Sequence, residues 1–166
     1  MSHHRIFYTL ARSVVLPALL FVALGPNRAE AQTALQFYPI TPCRLVDTRS
    51  SPDTPYHDNS GAGETRTYTF STTSYYAGSG ACGTIPAAAA YSLSLSFQVT
   101  DHMAFLTAYP DDATSRPTTS NVVAYLTGLF YVNNAIVPTG ATDHGIDVYA
   151  QYGGAVVIDI NGYFAP

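Results

Sequence analysis

The sequence predicts an all-β fold: a single antiparallel β-sandwich, jelly-roll or Ig-like, of about nine strands with one disulfide. Three observations lead there. Short segments rich in β-branched and aromatic residues recur, separated by Gly- and Pro-rich turns. Residues 91–99 (YSLSLSFQV) alternate strictly, with Tyr91, Leu93, Leu95, Phe97 and Val99 on one face and Ser92, Ser94, Ser96 and Gln98 on the other. No period of 3.6 residues is found after residue 31.

Taken in order, residues 1–31 read as a secretory signal peptide. They combine a polar, weakly basic start (His3, His4, Arg5), an apolar stretch at 14–24 and Ala29-Glu30-Ala31 as an A-x-A cleavage site. The apolar stretch is about 11 residues, short of the ~20 that a membrane-spanning helix needs. Residues 32–40 are an extended segment and a candidate donor strand, with Leu35, Phe37, Tyr38 and Ile40 as its assembly residues. Pro39 and Pro42 exclude a helix and place the segment at a sheet edge. The sandwich domain is then 41–166, beginning with a strand at 44–48.

Residues 50–63 (SSPDTPYHDNSGAG) are a loop by composition. Strand 65–71 alternates Tyr68 and Phe70 against Thr67 and Thr69, and 75–86 is a second Gly-rich loop. Four alanines at 87–90 are too few to nucleate a helix ahead of the alternating strand. Further strands are expected at 104–109, 120–126, 129–137 and 146–150, with a turn at Gly128 and a bulge or kink at Asn133-Asn134. Residues 154–164 (GAVVIDINGYF) form the most apolar stretch and read as a buried central strand with Asp159 as its single charge.

The charge balance bears on partners. Residues 32–166 contain Arg44, Arg49, Arg66 and Arg116, no lysine, and ten acids, a net charge of −6 with neutral histidine. Nucleic acid, which is bound largely through basic contacts to phosphate, is a poor fit, as is an anionic membrane surface. No span is expected after cleavage. Few charges and many Thr, Ser, Gly and Tyr suit a secreted protein, extracellular or held at the cell surface.

Two cysteines, Cys43 and Cys82, permit one intramolecular disulfide in an exported chain, against the alternative of two buried free thiols. Arg44, Asp47, Arg49 and Asp159 fall in otherwise apolar segments, where an unpaired charge is costly. They are expected to form a structural ion-pair group, with Asp159 on Arg49 or Arg44 or on backbone N–H groups at a turn.

Chemistry-bearing motifs are scarce. Asp47-Thr48-Arg49 lacks the glycine and the second copy that an aspartic-protease dyad requires. There is no G-x-S-x-G elbow, no P-loop and no dinucleotide-binding turn. His57, His102 and His144 each adjoin an aspartate, a pattern usual in solvated turns. Asp111 and Asp112 with Asp53 or Asp58 are a weak calcium candidate without EF-hand spacing. No enzyme, cofactor or metal is therefore expected. Tyr75, Tyr76, Tyr149 and Tyr152 are the aromatic residues best suited to stack on sugar rings, or to serve a protein interface.

Several ordered blocks carry a resemblance. Residues 37–49 (FYPITPCRLVDTR) and 157–164 (VIDINGYF) resemble the P-x-R-L-x-D-T-R opening and V-D-V-N-G-Y-F ending of a family of secreted bacterial β-domains. Between them, 82–87 (CGTIPA), 105–110 (FLTAYP), 116–121 (RPTTSN) and 134–138 (NAIVP) are similar to further family blocks in the expected order. Where the family often has Asn-x-Thr, this chain has Ser94-Leu95-Ser96. The resemblance implies an extracellular domain of unassigned activity, found in surface proteins and as a candidate fibril subunit, and carries no catalytic residues with it. The expected function is a structural subunit of an extracellular fibril or surface assembly, a homo-oligomer or homopolymer that self-associates by strand addition. The alternative is an extracellular carbohydrate-binding module with glycan as partner.

Overall fold

Eight β-strands and no helix make up residues 34–49 and 54–166, the part of the chain that the computed structural model describes. The predicted signal peptide, residues 32–33 of the extended segment and Asp53 lie outside those residues. The strands are β1 (Gln36–Asp47), β2 (Glu64–Tyr68), β3 (Ala90–Val99), β4 (Ala104–Pro110), β5 (Val122–Ala124), β6 (Phe130–Pro138), β7 (Ile146–Ala150) and β8 (Gly154–Ala165). They form two four-stranded sheets, ordered β1-β8-β3-β6 and β2-β7-β4-β5, with every pair antiparallel. An immunoglobulin sandwich splits its strands ABED and CFG. The order found here is instead that of an eight-stranded jelly roll.

The count of eight, against about nine expected, has a specific cause. Residues 35–40 and 44–48 are not two strands but the two halves of β1, both paired with β8. The register breaks between them: Pro39 opposes Gly162 and Cys43 opposes Ile160, so Ile40, Thr41 and Pro42 stand opposite Asn161 alone. Such an excess on one strand is a bulge, which bends the strand and leaves its extra residues outside the ladder.

Alternation builds the core. In β3, Tyr91, Leu93, Leu95, Phe97 and Val99 are buried while the intervening serines and Gln98 are only partly covered. Beside it, Val156, Ile158 and Ile160 of β8 point the same way, opposed to Phe97, Leu95 and Leu93. The second sheet answers with Leu106, Ala108, Val122, Ala124, Ile146 and Val148. Phe70 lies beyond β2, not within a strand as expected, yet it is buried against Tyr68, Tyr75 and Tyr91. No helix among the described residues is long and apolar enough to cross a membrane.

Backbone contacts close the molecule at β8. Gly154 and Tyr56 exchange two backbone hydrogen bonds, at 2.8 and 2.9 Å. A side chain at Gly154 would run into the carbonyl of Gln98 and the ring of Phe97, which is why the strand begins on glycine. The expected bulge at Asn133-Asn134 is absent: β3 and β6 pair without a break from Ala90↔Pro138 to Gln98↔Phe130. Asn133 is accommodated by its own side chain, whose amide donates to the Asn121 carbonyl while its oxygen accepts from the Asn134 N–H. Gly128 does turn the chain, with φ of 77°.

Candidate functional site

The charged motif at the start of the domain resolves into a ladder of carboxylates and guanidinium groups. Arg44 and Asp159 are register partners on adjacent strands. Arg44 forks onto the carboxylate, Nε to Oδ1 at 2.8 Å and Nη2 to Oδ2 at 3.2 Å. Its remaining nitrogen, Nη1, donates to Asp47 Oδ2 at 3.0 Å. Arg49 meets Asp47 from the other side with Nε at 2.8 Å, Nη2 at 2.6 Å and its backbone N–H at 3.1 Å. Asp159 therefore pairs with Arg44, and Arg49 pairs with Asp47. Arg49 itself lies in the turn after β1, outside the strand, and its guanidinium sits 5.3 Å from the Phe130 ring centroid.

Asp47 is 2% exposed. Its hydrogen bond from the Arg49 guanidinium, with further help from the Arg49 N–H and from Arg44, holds its carboxyl below the usual carboxylate range. The same chemistry seen from Arg44, chiefly the bond to Asp159, raises its already high pKa. Both carboxylates are taken up by guanidinium groups, so the arrangement ties β1 to β8 as a strand clamp.

The Cys43–Cys82 disulfide lies beside the clamp, with Cα atoms 5.1 Å apart. It ties the loop at 78–82 to the outer edge of β1, where Arg44 N–H donates to Gly80 O and Cys82 N–H donates to Arg44 O. Two shallow cavities of about 290 and 260 Å³ flank this junction. Pro42 and Asp159 line both, with Arg44 and Ser79 in one and Ser94 and Asn161 in the other.

The other candidates disperse. His57 and His102 sit in separate loops: the His57 N–H donates to Glu64, and the His102 ring stacks on Tyr152 at 4.9 Å. The Nδ1 of His144 lies 3.0 Å from the Ala88 carbonyl. Asp58 accepts from the Ser60 N–H and Asp112 from the Ala141 N–H. Among the described residues no group of three His, Cys, Asp or Glu is placed to hold a metal ion.

The tyrosines are used internally. Tyr75 packs edge-on against Tyr68 and Phe70, and its hydroxyl accepts from the Thr69 N–H. Tyr149 is buried beneath Arg116, 4.2 Å from its ring, and donates to the Ala62 carbonyl. Tyr76 and Tyr152 are half-buried, the one 5.8 Å from the Arg44 guanidinium and the other under His102. These four do not make a common aromatic platform.

The feature the sequence did not single out is the edge at β6. A jelly roll of this kind has four edge strands, here β1, β6, β2 and β5. Proteins protect edges with prolines, charges, short length or a covering loop. β1 has Pro39 and Pro42 and the disulfide-tied loop. β2 is five residues with Glu64 and Arg66, and β5 is three residues. β6 lacks the first three of these devices: it runs nine residues, FYVNNAIVP, with no charge and no proline before its last position, and the segment before β5 meets it at Asn133, which donates to the Asn121 carbonyl. Val132 and Ile136 are 61% and 62% exposed, and Tyr125, Leu126 and Leu129 extend the apolar surface into the preceding loop. Among the described residues no strand pairs with its outer side.

The assembly residues proposed from sequence lie on the opposite edge of the same sheet. Leu35, Phe37 and Tyr38 are exposed and Ile40 is half-buried. They are not unpaired: Phe37 opposes Phe164 with ring centroids at 5.1 Å, and Tyr38 opposes Tyr163 at 5.3 Å. No family model, curated protein or solved structure matches the chain.

Proposed function

We propose that the protein is a structural subunit of an extracellular fibril or surface assembly that self-associates by β-strand addition, with the outer edge of β6 as the accepting edge. The observation that carries this reading is the contrast between the four edges: three are short, charged or obstructed, and β6 is long, uncharged and apolar. An edge of that kind is a ready template for another strand, because its outward N–H and C=O groups need partners. The disulfide is compatible with an oxidising compartment outside the cytosol. The internal use of Tyr75 and Tyr149 weakens the carbohydrate-binding alternative.

The test is the double variant Val132→Lys/Ile136→Lys. Both positions are exposed, so folding stability should stay within about 0.5 kcal/mol of wild type, as usual for surface changes. Wild type is expected to form species that grow with concentration in sedimentation velocity and appear as polymers by negative-stain microscopy, and the variant to remain monomeric. Wild type that stays monomeric throughout, or a variant that polymerises equally, overturns the proposal.

A further inference from the structure

The strand that β6 accepts is the further question, and the answer rests on the strand-addition reading above. We infer that it is the arm Gln36–Pro39 of a second copy, released from its own β8 and turned outward about Ile40, Thr41 and Pro42. Two observations converge on that arm.

The arm is a separable half of β1. Its ladder with residues 162–165 is divided from the rest of the strand by the bulge, where three residues stand opposite Asn161. Residues 34–39 are all exposed, so little core is lost on release. Release also has a defined limit. From Cys43 onward the strand is held by the disulfide, by its bonds to residues 80 and 82 and by the Arg44–Asp159 fork. A short prolyl segment thus separates a fixed strand from a solvent-exposed one.

Placement supports the same pairing. Apart from Met103, the exposed large apolar residues fall into two clusters: Leu35, Phe37 and Tyr38 at the β1 edge, and Tyr125 through Ile136 at the β6 edge. These are opposite edges of one sheet. Cross-strand register puts them on one face, since Phe37 opposes Phe164, Phe164 opposes Ala90 and Ala90 opposes Pro138, two residues from Ile136. An arm laid along β6 can therefore bring Leu35 and Phe37 to the side that bears Val132 and Ile136. Neither strand carries a charge to oppose this: residues 34–43 and 129–138 contain no Asp, Glu, Lys or Arg. Because the two surfaces differ, each contact leaves one donor and one acceptor free, and addition continues without closing on a dimer.

Length sets a further condition. Gln36 to Pro42 is seven residues, about 23 Å when extended at ~3.3 Å per residue. Neighbouring copies must therefore stand edge to edge, with sheets in continuity.

The experiment locks the arm at home. Phe37→Cys/Phe164→Cys places two thiols at directly opposed positions, and its second disulfide is verified by peptide mapping. The locked protein is expected to lose assembly at least tenfold while β6 is untouched. In parallel, copies carrying Phe37→Cys alone are mixed with copies carrying Ile136→Cys alone and oxidised, which should give a disulfide between copies. A locked protein that assembles like wild type, with no disulfide formed between positions 37 and 136 of different copies, overturns arm exchange. If Val132→Lys/Ile136→Lys still abolishes assembly, β6 stands as the accepting edge and only its donor is wrong. If that variant assembles as well, both readings fall. Should the lock fail to form, the mixing experiment decides alone.

Discussion

Asp47 has the largest stake among single residues. It is buried and receives hydrogen bonds from two arginines, so its neutral replacement leaves both guanidinium groups short of a partner. Asp47→Asn is expected to cost about 1–3 kcal/mol at neutral pH, measured by denaturant unfolding. The pH dependence follows from the sign of the shift. The folded carboxyl titrates below its unfolded value near 3.9, so its contribution is full above that value and is lost as pH falls through the folded pKa. The gap between wild type and Asp47→Asn should thus narrow only below about pH 4. Equal loss at every pH would show that the carboxylate's charge is not what matters. Tyr91 offers a second readout: burial pushes its phenol up to about 12, and spectroscopic titration should find one phenol ionising well above the ordinary tyrosine value near 10. At Gly154, alanine would drive a methyl into the Gln98 carbonyl, and a clear fall in stability is expected, by more than about 1 kcal/mol as for other overpacked sites.

At the scale of elements, the half of β1 that follows the bulge is fixed three ways, by ladder, clamp and disulfide. The bridge spans 39 residues of sequence. Chain-entropy reasoning puts its contribution at up to about 4 kcal/mol. Cys43→Ser/Cys82→Ser should lower the melting temperature without changing the native far-UV spectrum, and a variant that melts with wild type would assign fixation of the edge to the ladder and the clamp. Much of the element level was readable in advance. Strict alternation located β3, the β-branched run located β8, and proline located β1 at an edge. The bulge was not readable: two apolar runs split by Pro39 and Pro42 look like two strands, and only pairing with a common β8 makes them one. Phe70 illustrates the opposite limit. Alternation extended β2 to include it, but the hydrophobic contacts that bury it are made from a turn. Arg66 was equally hidden. It lies 4.2 Å from the Tyr56 ring and donates to Glu64 and to the Pro55 carbonyl, partners that no local pattern associates.

For the molecule as a whole, the sequence identified the sandwich but not which surfaces it leaves bare. Periodicity tells which residues of a strand share a face. It does not tell whether a strand lies inside a sheet or at its edge, and so the exposure of Val132 and Ile136 had no signature in residues 129–137. The ion-pair group was foreseeable because charges in apolar strands need partners, but the choice between Arg44 and Arg49 depends on register, which sets Arg44 across from Asp159. A core substitution tests the sandwich itself. Leu95→Ala removes a fully buried side chain between the sheets and should cost about 2–5 kcal/mol. A loss below about 1 kcal/mol would indicate that the two sheets do not pack as described.

The order of strands also has a consequence in time. β8 is inserted between β1 and β3, and it is the last strand of the eight to leave the ribosome. Until then the first sheet consists of β1 with no neighbour and a lone β3–β6 pair. The earliest-made strand must wait, unpaired, for the latest. Such distant pairing is intrinsically slow, and a chain stopped before residue 154 should remain unfolded, sensitive to protease throughout β1.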